Sequence, residues 1–448
     1  MLSSLVRRSL YVLVALPLLG CDSPTSKEPP PPAELDVTWL AQNAVPFSTT
    51  DPGGDYAELA PLGAMIGDAR IVGLGEATHG THEFFRMKHR ILEYLVREKG
   101  FSTFVIEATW AEANRLNRYV HTGEGDPEVL LSNLYFWTWN TREVLAMIQW
   151  MRAHNQNPGN APKVSFYGFD MQHSRVAMDD AVAYLRRVDA AAADSAVSHY
   201  QCYRAFQDLP QRSLPSYGGT VSAEVQARCH NGVVAVHALL SRRADEFAAK
   251  SDRRAYDEAL RAARVVVQNE DMRAGPDDQR VRLRDTYMAE NVAWLGDVAA
   301  PGSRMVLWAH NAHVSRRAPY MGTHLTTRYG NDYRVVGFSF YRGEMSAVVQ
   351  GVGLSTASAV AAVDSSYEHQ FHRLGLQRFI LDLRPLRSGA PAGAGWLLGP
   401  RLFRQVGALY NPATPEDFYV QSPLAAEYDI MIHEDVTNAS NRLPFRYE

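Results

Sequence analysis

The chain lacks the features that mark several common classes of protein. With only three cysteines in 448 residues, it is not a disulfide-rich scaffold. Its formal net charge of −4 gives no basic excess, which argues against nucleic acid as a partner. No G-x-S-x-G motif is present, so nothing supports the serine mechanism of an α/β-hydrolase. Beyond residue 20, no apolar run is long enough to cross a membrane as a helix.

The composition is that of a globular protein, with 46% apolar and 21% charged residues. At ~150 residues per domain the length corresponds to roughly three domains. A single large α/β domain with an inserted part fits the length equally well.

The first twenty residues have the features of a secretory signal. Arg7 and Arg8 precede an apolar run at residues 10–20, which is too short to span a bilayer. The run ends in Leu18-Leu19-Gly20-Cys21, which resembles a bacterial lipobox and implies cleavage before Cys21 and attachment of lipid to it. The alternative is a plain signal peptide that contains a cysteine. We therefore predict a signal peptide at residues 1–20 and a lipid-attached, Pro/Ser-rich tether at residues 21–38.

These features predict a place in the bacterial cell envelope, on the periplasmic or outer-membrane face. Loss of Arg7 and Arg8 with the signal lowers the formal charge from −4 to −6, so membrane association depends on the lipid at Cys21. Outside the cytosol, Cys202 and Cys229 are predicted to form a disulfide. Two buried free thiols are the alternative.

Short apolar strands alternate with amphipathic helices over much of the chain, which predicts an α/β fold with a largely parallel central sheet flanked by helices. Strands are predicted at residues 69–74, 103–107, 163–169, 304–309, 334–340, 345–349, 379–383 and 429–433. Helices are predicted at residues 83–99, 111–121, 141–155 and 175–188. Residues 189–299 lose the strand pattern and predict a helical insertion that caps the sheet, with helices at 223–250 and 252–268. The α/β catalytic domain would then comprise residues 39–188 and 300–448.

Reactive side chains follow four predicted strands, where an open α/β sheet binds its ligands. The first strand leads to Glu76 and His79, the second ends in Glu107, the third leads to Asp170 and the fourth leads to His310 and His313. Two short windows, residues 79–89 and 310–313, hold five of the 15 histidines. This clustering predicts a catalytic site at the carboxyl edge of the sheet.

Each of these residues also has a simpler interpretation. Glu76 could cap a helix, and His79 could belong to a turn. For Glu107 the functional interpretation is favoured, because it ends an apolar strand, where an unpaired carboxylate would be costly. His310 and His313 could ligate a metal or form a hydrogen-bonded pair. His82 and His89 have no second line of support, and we interpret both as structural.

Arg284 joins the candidates through a helical run. Arg284, Tyr287, Met288 and Asn291 share one helical face, and this helix precedes the strand that carries His310. A guanidinium there could clamp a carboxylate or stabilise an oxyanion, whereas a surface salt bridge is the alternative.

In combination these motifs resemble the erythromycin esterase family. The resemblance rests on Gly75-Glu76-Ala77-Thr78-His79-Gly80 with Glu83-Phe84, the strand ending in Glu107, Gly168-Phe169-Asp170, the Arg284–Asn291 run, Ala309-His310-Asn311-Ala312-His313 and Tyr428-Asp429-Ile430-Met431-Ile432, in that order. It covers residues 59–438.

The resemblance implies hydrolysis of an ester or lactone, including a macrolide macrolactone, by activated water without a covalent intermediate. His79 would be the general base, oriented by Glu76 and Glu107. His310, His313 and Arg284 would bind the carbonyl group and the oxyanion. Lys88 and Asp170 are predicted to bind substrate. Lys88 stands where family esterases carry arginine; lysine keeps the charge but lacks the planar, bidentate guanidinium.

Two other functions remain open. Glu76, His79, Glu107, His310 and His313 could hold zinc or manganese for a metal-dependent envelope hydrolase acting on an ester or peptide, although the preferred prediction has no cofactor. The same pocket could instead belong to a non-catalytic envelope module that binds a polyketide or glycan. The aromatic residues at 135–139 could line an apolar cleft or pack in the core.

Overall fold

The computed structural model describes residues 34–207, 217–218 and 221–446. The predicted signal peptide, Cys21 and most of the tether lie outside the described residues. The described residues from Asp36 onward form one compact unit. In the part of the chain that is described, no helix combines the length and the apolarity needed to cross a membrane.

Twelve strands and sixteen α-helices are found in the described residues. The strands are β1 (Val45–Pro46), β2 (Ile71–Leu74), β3 (Thr103–Thr109), β4 (Ser165–Asp170), β5 (Met305–Trp308), β6 (Tyr333–Val349), β7 (Gly353–Ala359), β8 (Arg378–Asp382), β9 (Arg401–Arg404), β10 (Leu409–Tyr410), β11 (Tyr419–Ser422) and β12 (Ile430–Thr437). The helices are α1 (Thr38–Asn43), α2 (Ala60–Ile66), α3 (His82–Lys99), α4 (Trp110–Thr122), α5 (Pro127–Ser132), α6 (Arg142–Gln156), α7 (Arg175–Val188), α8 (Ala190–Arg204), α9 (Ala223–Arg242), α10 (Ala244–Ala249), α11 (Arg253–Ala274), α12 (Asp277–Trp294), α13 (Asn311–Val314), α14 (Met321–Tyr329), α15 (Tyr367–His372) and α16 (Leu424–Glu427).

The central sheet has the strand order β1-β8-β12-β6-β2-β5-β3-β4. All pairs from β12 to β4 are parallel, whereas β8 and β1 join one edge antiparallel. The predicted α/β class with a largely parallel sheet is confirmed. Because β2, β3, β4 and β5 run in the same direction, their carboxyl ends lie on one edge of the sheet.

Both faces of the sheet are covered, as expected for parallel strands. Along β3, Phe104 and Ile106 belong to one buried apolar cluster, and Val105 belongs to the cluster on the opposite face. The alternation follows from the period of two in a strand. The polar ends of these buried strands are therefore the places where functional side chains emerge.

The strands predicted at residues 334–340 and 345–349 are one strand, β6, so that prediction was wrong. Residues 341–344 are polar and partly exposed, which breaks the apolar pattern although the backbone stays extended. The first part of β6 pairs with β2 and β12, and its second part pairs with β7 and β10. Pairing beyond the apolar core thus extends the strand further than hydrophobicity indicates.

Between β4 and β5 the described residues form helices α7 to α12 and a short π-helix. The helix predicted at residues 223–250 divides at Arg243, where α10 begins, so its predicted length was wrong. Arg243 departs from helical geometry and binds Glu246 in the first turn of α10 and Asp189 at the start of α8. A disulfide joins Cys202 on α8 to Cys229 on α9. The last of these helices, α12, packs on β4 and so brings this segment back to the sheet.

Candidate active site

The six residues predicted to be catalytic lie in one connected network at the carboxyl edge of the sheet. Glu76 and His79 follow β2, Glu107 lies within β3, and His310 and His313 follow β5, while Arg284 comes from α12. Distances of 2.6 Å join His79 to Glu76 and Arg284 to Glu107, and the rings of His79 and His310 are 5.1 Å apart between centroids. Parallel strand ends therefore bring together side chains that are far apart in sequence.

Two glycines allow the loop after β2 to pack closely enough for this arrangement. A Cβ atom at Gly75 would lie 2.2 Å from Asn311 Oδ1, and one at Gly80 would lie 2.0 Å from the carbonyl oxygen of Ser346. Asn311 also hydrogen-bonds both the backbone N–H and the carbonyl of Phe338 on β6. The loop is thus fixed between α13 and β6, which defines the position of His79.

The ring of His79 is oriented by a buried carboxylate. Its Nδ1 lies 2.6 Å from Glu76 Oε1. Because an ionised carboxylate only accepts hydrogen bonds, Nδ1 carries the proton and the lone pair of the neutral ring is on Nε2. The His79 side chain is 13% exposed, whereas Glu76 is fully buried, so part of the ring reaches solvent. Nε2 is therefore the nitrogen of this ring that can accept a proton.

Glu76 is completely buried and has further partners. Trp308 donates its indole N–H to Glu76 Oε2 at 2.7 Å, and the Lys88 ammonium binds the same oxygen. Burial lowers the pKa of Lys88 to about 8, against the opposing effect of Glu76. Lys88 is itself fully buried behind Glu76. Lys88 is thus placed where it can position Glu76, and its predicted contact with substrate stays a prediction.

Asp170, Arg284 and Glu107 form a second buried ionic group. Arg284 donates to Asp170 from Nε and Nη2, at 3.2 and 2.7 Å, and Nη2 also donates to Glu107 at 2.6 Å. Burial alone would raise the pKa of Glu107, but His313, Arg284 and His79 outweigh it and hold that pKa well below its usual range. Asp170 is completely buried and binds Arg284, and its predicted contact with substrate stays a prediction.

His310 is buried beside Glu107 and the backbone of Ala77. Glu107 accepts the backbone N–H of His310 at 2.9 Å, and the Nδ1 of His310 accepts the N–H of Ala312 at 3.3 Å. Because Nδ1 accepts a hydrogen bond, the ring proton is on Nε2. Burial, reinforced by His79 and His313, holds the pKa of His310 well below its usual range, against the opposing effects of Glu107 and the Ala77 backbone. Nε2 is buried and makes no well-aligned hydrogen bond with the described residues beyond this approach to Ala77, so it can still donate to a ligand oxygen.

His313 depends on a carboxylate that sequence reasoning missed. Its Nδ1 lies 2.7 Å from Asp285 Oδ1, and its Nε2 lies 3.1 Å from Arg284 Nη1. Burial opposes protonation of His313, but Asp285 and Glu107 outweigh burial and raise its pKa. Asp285 also accepts the N–H of Met321 at the start of α14. The sequence feature that could have identified Asp285 is its position next to Arg284 in the predicted helix.

Of the aromatic residues at 135–139, Trp139 packs in the core, and the predicted apolar cleft stays a prediction. Trp139 is buried, donates to the carbonyl of Glu107 at 2.9 Å and meets the His79 ring edge-on at 6.0 Å between centroids. Tyr135 and Phe136 are partly exposed, and each contacts the ring of His173. Trp139 is therefore core that supports the base, while its neighbours lie nearer the surface.

His82 and His89 lie outside this network in the described residues. His82 pairs with Glu143 at 2.5 Å, and His89 pairs with Glu93 at 3.3 Å. Both histidines lie on α3; the first pair joins α3 to α6, and the second lies within α3.

The predicted metal donors do not fit a metal ion in this arrangement. Lys88 and Arg284 already place positive charge on the oxygens of Glu76 and Glu107. Among the described residues, only His230, Glu270 and Asp271 bring ligand atoms of three such side chains within 4.8 Å of one another. The donors at the sheet edge would have to rearrange to hold zinc or manganese.

A sequence model of the erythromycin esterase family matches residues 96–437. The chain belongs to this family. The matched range includes Glu107, Asp170, Arg284, His310 and His313, whereas Glu76, His79 and Lys88 precede it.

Individual proteins agree with this assignment. Erythromycin esterase type II from Escherichia coli is 23% identical over 333 residues, which cover 69% of this chain and 78% of that protein. A solved succinoglycan biosynthesis protein has a TM-score of 0.77 at 25% identity, covering 90% of this chain and 96% of its own. An erythromycin esterase mutant solved in its open conformation has a TM-score of 0.66 at 17% identity, covering 88% and 97%. The protein is thus an erythromycin esterase-family hydrolase. Its two structural relatives carry names that refer to different biological roles.

Proposed function

We propose that the protein hydrolyses an ester or lactone by direct attack of a water molecule that His79 activates. The observation that carries this proposal is the 2.6 Å contact between His79 Nδ1 and Glu76, which leaves Nε2 as the base on a side chain that is 13% exposed. Histidine is suited to this role because its ordinary pKa is close to neutral.

In the proposed reaction the water oxygen forms a bond to the substrate carbonyl carbon while one water proton passes to His79 Nε2. Glu76 stabilises the resulting imidazolium, and Lys88 balances the charge of Glu76. The new oxyanion accepts a hydrogen bond from His310 Nε2. As the ester C–O bond breaks, His79 returns the proton to the leaving alkoxide.

The N–H groups of Arg284 are directed to protein partners, which refines its predicted role. They bind Asp170, Glu107 and His313. Arg284 therefore orders Glu107, which in turn holds the backbone of His310. We assign the oxyanion to His310 and give Arg284 and Asp170 the role of fixing its surroundings.

Two features support attack by water over a covalent intermediate. In the described residues, the hydrogen bond of the His79 side chain goes to Glu76 and to no serine or cysteine. Cys202 and Cys229 are joined in a disulfide, so neither offers a thiolate there.

A panel of macrolides, simple lactones and aryl esters tests the proposal with wild-type protein and His79→Ala. We expect at least one ester to be turned over and the substitution to lower kcat/KM by roughly 10²- to 10⁴-fold, as for loss of a general base. The proposal fails if no ester is hydrolysed or if His79→Ala hydrolyses as fast as wild type. Tight binding of a polyketide or glycan without turnover would support the binding module instead. Family membership does not by itself imply resistance to macrolides, because a fold outlasts changes of substrate.

The proposed location is the bacterial envelope, with lipid on Cys21. This rests on the Leu18-Leu19-Gly20-Cys21 sequence and the Pro-rich stretch after it. In cells that produce the protein, Cys21→Ser should move it from the membrane fraction to the soluble fraction. Equal membrane retention of wild type and Cys21→Ser would contradict the anchor.

A further inference from the structure

We propose that His230, Glu270 and Asp271 form a binding site for one divalent cation of the zinc class, separate from the active site. His230 lies on α9, and the two carboxylates are consecutive residues on α11. Two helices that are distant in sequence thus contribute one nitrogen and two oxygen donors.

The three donor atoms face one another at short range. His230 Nδ1 lies 2.7 Å from Glu270 Oε2 and 3.5 Å from Asp271 Oδ1. Ligand atoms of a tetrahedral zinc ion are separated by roughly 3.3 Å, given bonds of about 2.0–2.1 Å. To accommodate the ion, His230 Nδ1 and Glu270 Oε2 would have to move apart by about 0.6 Å. The His230 side chain is 45% exposed and has room for this movement.

Each carboxylate is oriented by a tyrosine on its other oxygen. Tyr217 donates to Glu270 Oε1 at 2.7 Å, and Tyr287 donates to Asp271 Oδ2 at 2.8 Å. These contacts leave Glu270 Oε2 and Asp271 Oδ1 directed at His230. Outer-shell hydrogen bonds of this kind fix the orientation of metal ligands.

In this cluster, two carboxylates face a single histidine, whereas an ordinary ion pair has one charge of each sign. Glu270 is almost fully buried, at 1% side-chain exposure, and the ion pairs that Glu270 and Asp271 form with described residues both go to His230. A protonated histidine supplies one positive charge against two carboxylates. A dication bound by neutral His230 would balance both carboxylates, and the exposed side of the ring leaves a route from solvent and a position for water.

The mixed set of donors indicates the kind of ion. One imidazole and two carboxylates suit zinc and neighbouring borderline metals better than calcium or magnesium, which prefer oxygen donors alone. A bound ion would join α9 to α11 beside the Cys202–Cys229 disulfide, since Cys229 precedes His230. Its role would be to fix the helical segment, away from the water that His79 activates.

Zinc titration of the purified, untagged protein after treatment with chelator tests the site. By calorimetry and native mass spectrometry, wild type should bind one zinc ion per chain, and His230→Ala should weaken binding by at least roughly tenfold. His199→Ala is the matched control, because it removes an exposed histidine from α8 and should bind zinc as wild type does. Zinc should also raise the melting temperature of wild type but not of His230→Ala.

If the metal-free His230→Ala variant has a lower melting temperature than metal-free wild type, Asp271→Asn provides a second variant. It should also weaken the binding of zinc. The proposal is overturned if wild type binds no stoichiometric zinc. It is also overturned if His230→Ala and Asp271→Asn bind zinc as wild type does. Loss of the zinc in His79→Ala instead would assign the ion to the active site.

Discussion

Two of the regions in which histidine meets carboxylates differ in what else binds those carboxylates. At the edge of the sheet, Lys88 binds Glu76 and Arg284 binds Glu107. In the helical segment, the carboxylates beside His230 are held by tyrosine hydroxyl groups. Similar residue types thus occupy opposite electrostatic surroundings.

The difference determines what each histidine can do. Cations at the sheet edge bind the carboxylates directly, which suits the proposed role of His79 as a base toward water. Tyrosine hydroxyl groups orient Glu270 and Asp271, and Arg264 acts on Asp271 only at longer range, which suits the proposed cation site. Each variant below changes one region only. Its effect on activity and stability shows whether the sheet edge and the helical segment act independently.

The largest effect is expected from Glu76→Gln. It removes the acceptor that orients His79 and stabilises the imidazolium, so kcat/KM should fall by roughly 10³- to 10⁴-fold, the size of comparable losses in catalytic triads. It also leaves the buried ammonium of Lys88 unpaired, which should cost ~3–5 kcal/mol of unfolding free energy. Ester turnover and urea unfolding measure the two effects.

Glu143→Gln is the matched control, because Glu143 pairs with His82 at a similar distance outside the network. It should retain most of the activity. An equal loss of activity in both variants, after correction for the folded fraction, would contradict the special role of Glu76.

Asp170→Asn should act next most strongly. Asp170 is completely buried against Arg284, and loss of its charge should lower the unfolding free energy by ~3–5 kcal/mol and reduce kcat. Asp180→Asn breaks a pair with Arg115 that is about one third exposed and should cost ~1 kcal/mol or less. Equal changes in the two urea unfolding curves would show that burial does not distinguish them.

The disulfide tests the helical region alone. Replacing Cys202 and Cys229 by alanine opens a link across a separation of 27 residues and should lower the unfolding free energy by ~3 kcal/mol. Because the bond joins α8 to α9, kcat/KM should stay unchanged at temperatures where the variant is folded. A loss of kcat/KM in the folded variant would show that the regions are coupled.

The smallest effect concerns pH. Burial lowers the pKa of Lys88 to about 8, so rising pH removes its proton and the positive charge beside Glu76. We expect kcat/KM to decline as pH rises through about 8. Lys88→Arg keeps its charge to higher pH and should move this decline upward. An unchanged alkaline limb in Lys88→Arg would assign the decline to another group.

The sequence predicted the class of fold and the elements that carry the reactive residues, because buried strands and amphipathic helices have distinct periods. The edge strands β7, β9, β10 and β11 were missed, since they are short or partly exposed and have no clear apolar alternation. The residues that converge could also be predicted, because parallel strands end on a common edge.

The partners of those residues could not be predicted from local sequence. Trp308 reaches Glu76 across 232 positions, and Arg284 reaches Glu107 across 177. Such contacts depend on tertiary packing, as does the burial of Lys88. The complete burial of Lys88 and Asp170, for both of which substrate binding is predicted, was likewise not evident from the sequence.

The central claim is that His79 is the base that activates water. The most direct measurement is kcat/KM of wild type, His79→Ala and the surface control His199→Ala on the best ester of the panel, with and without added imidazole. We predict a fall of roughly 10²- to 10⁴-fold for His79→Ala only, with partial recovery by imidazole. Wild-type turnover by folded His79→Ala would contradict the claim.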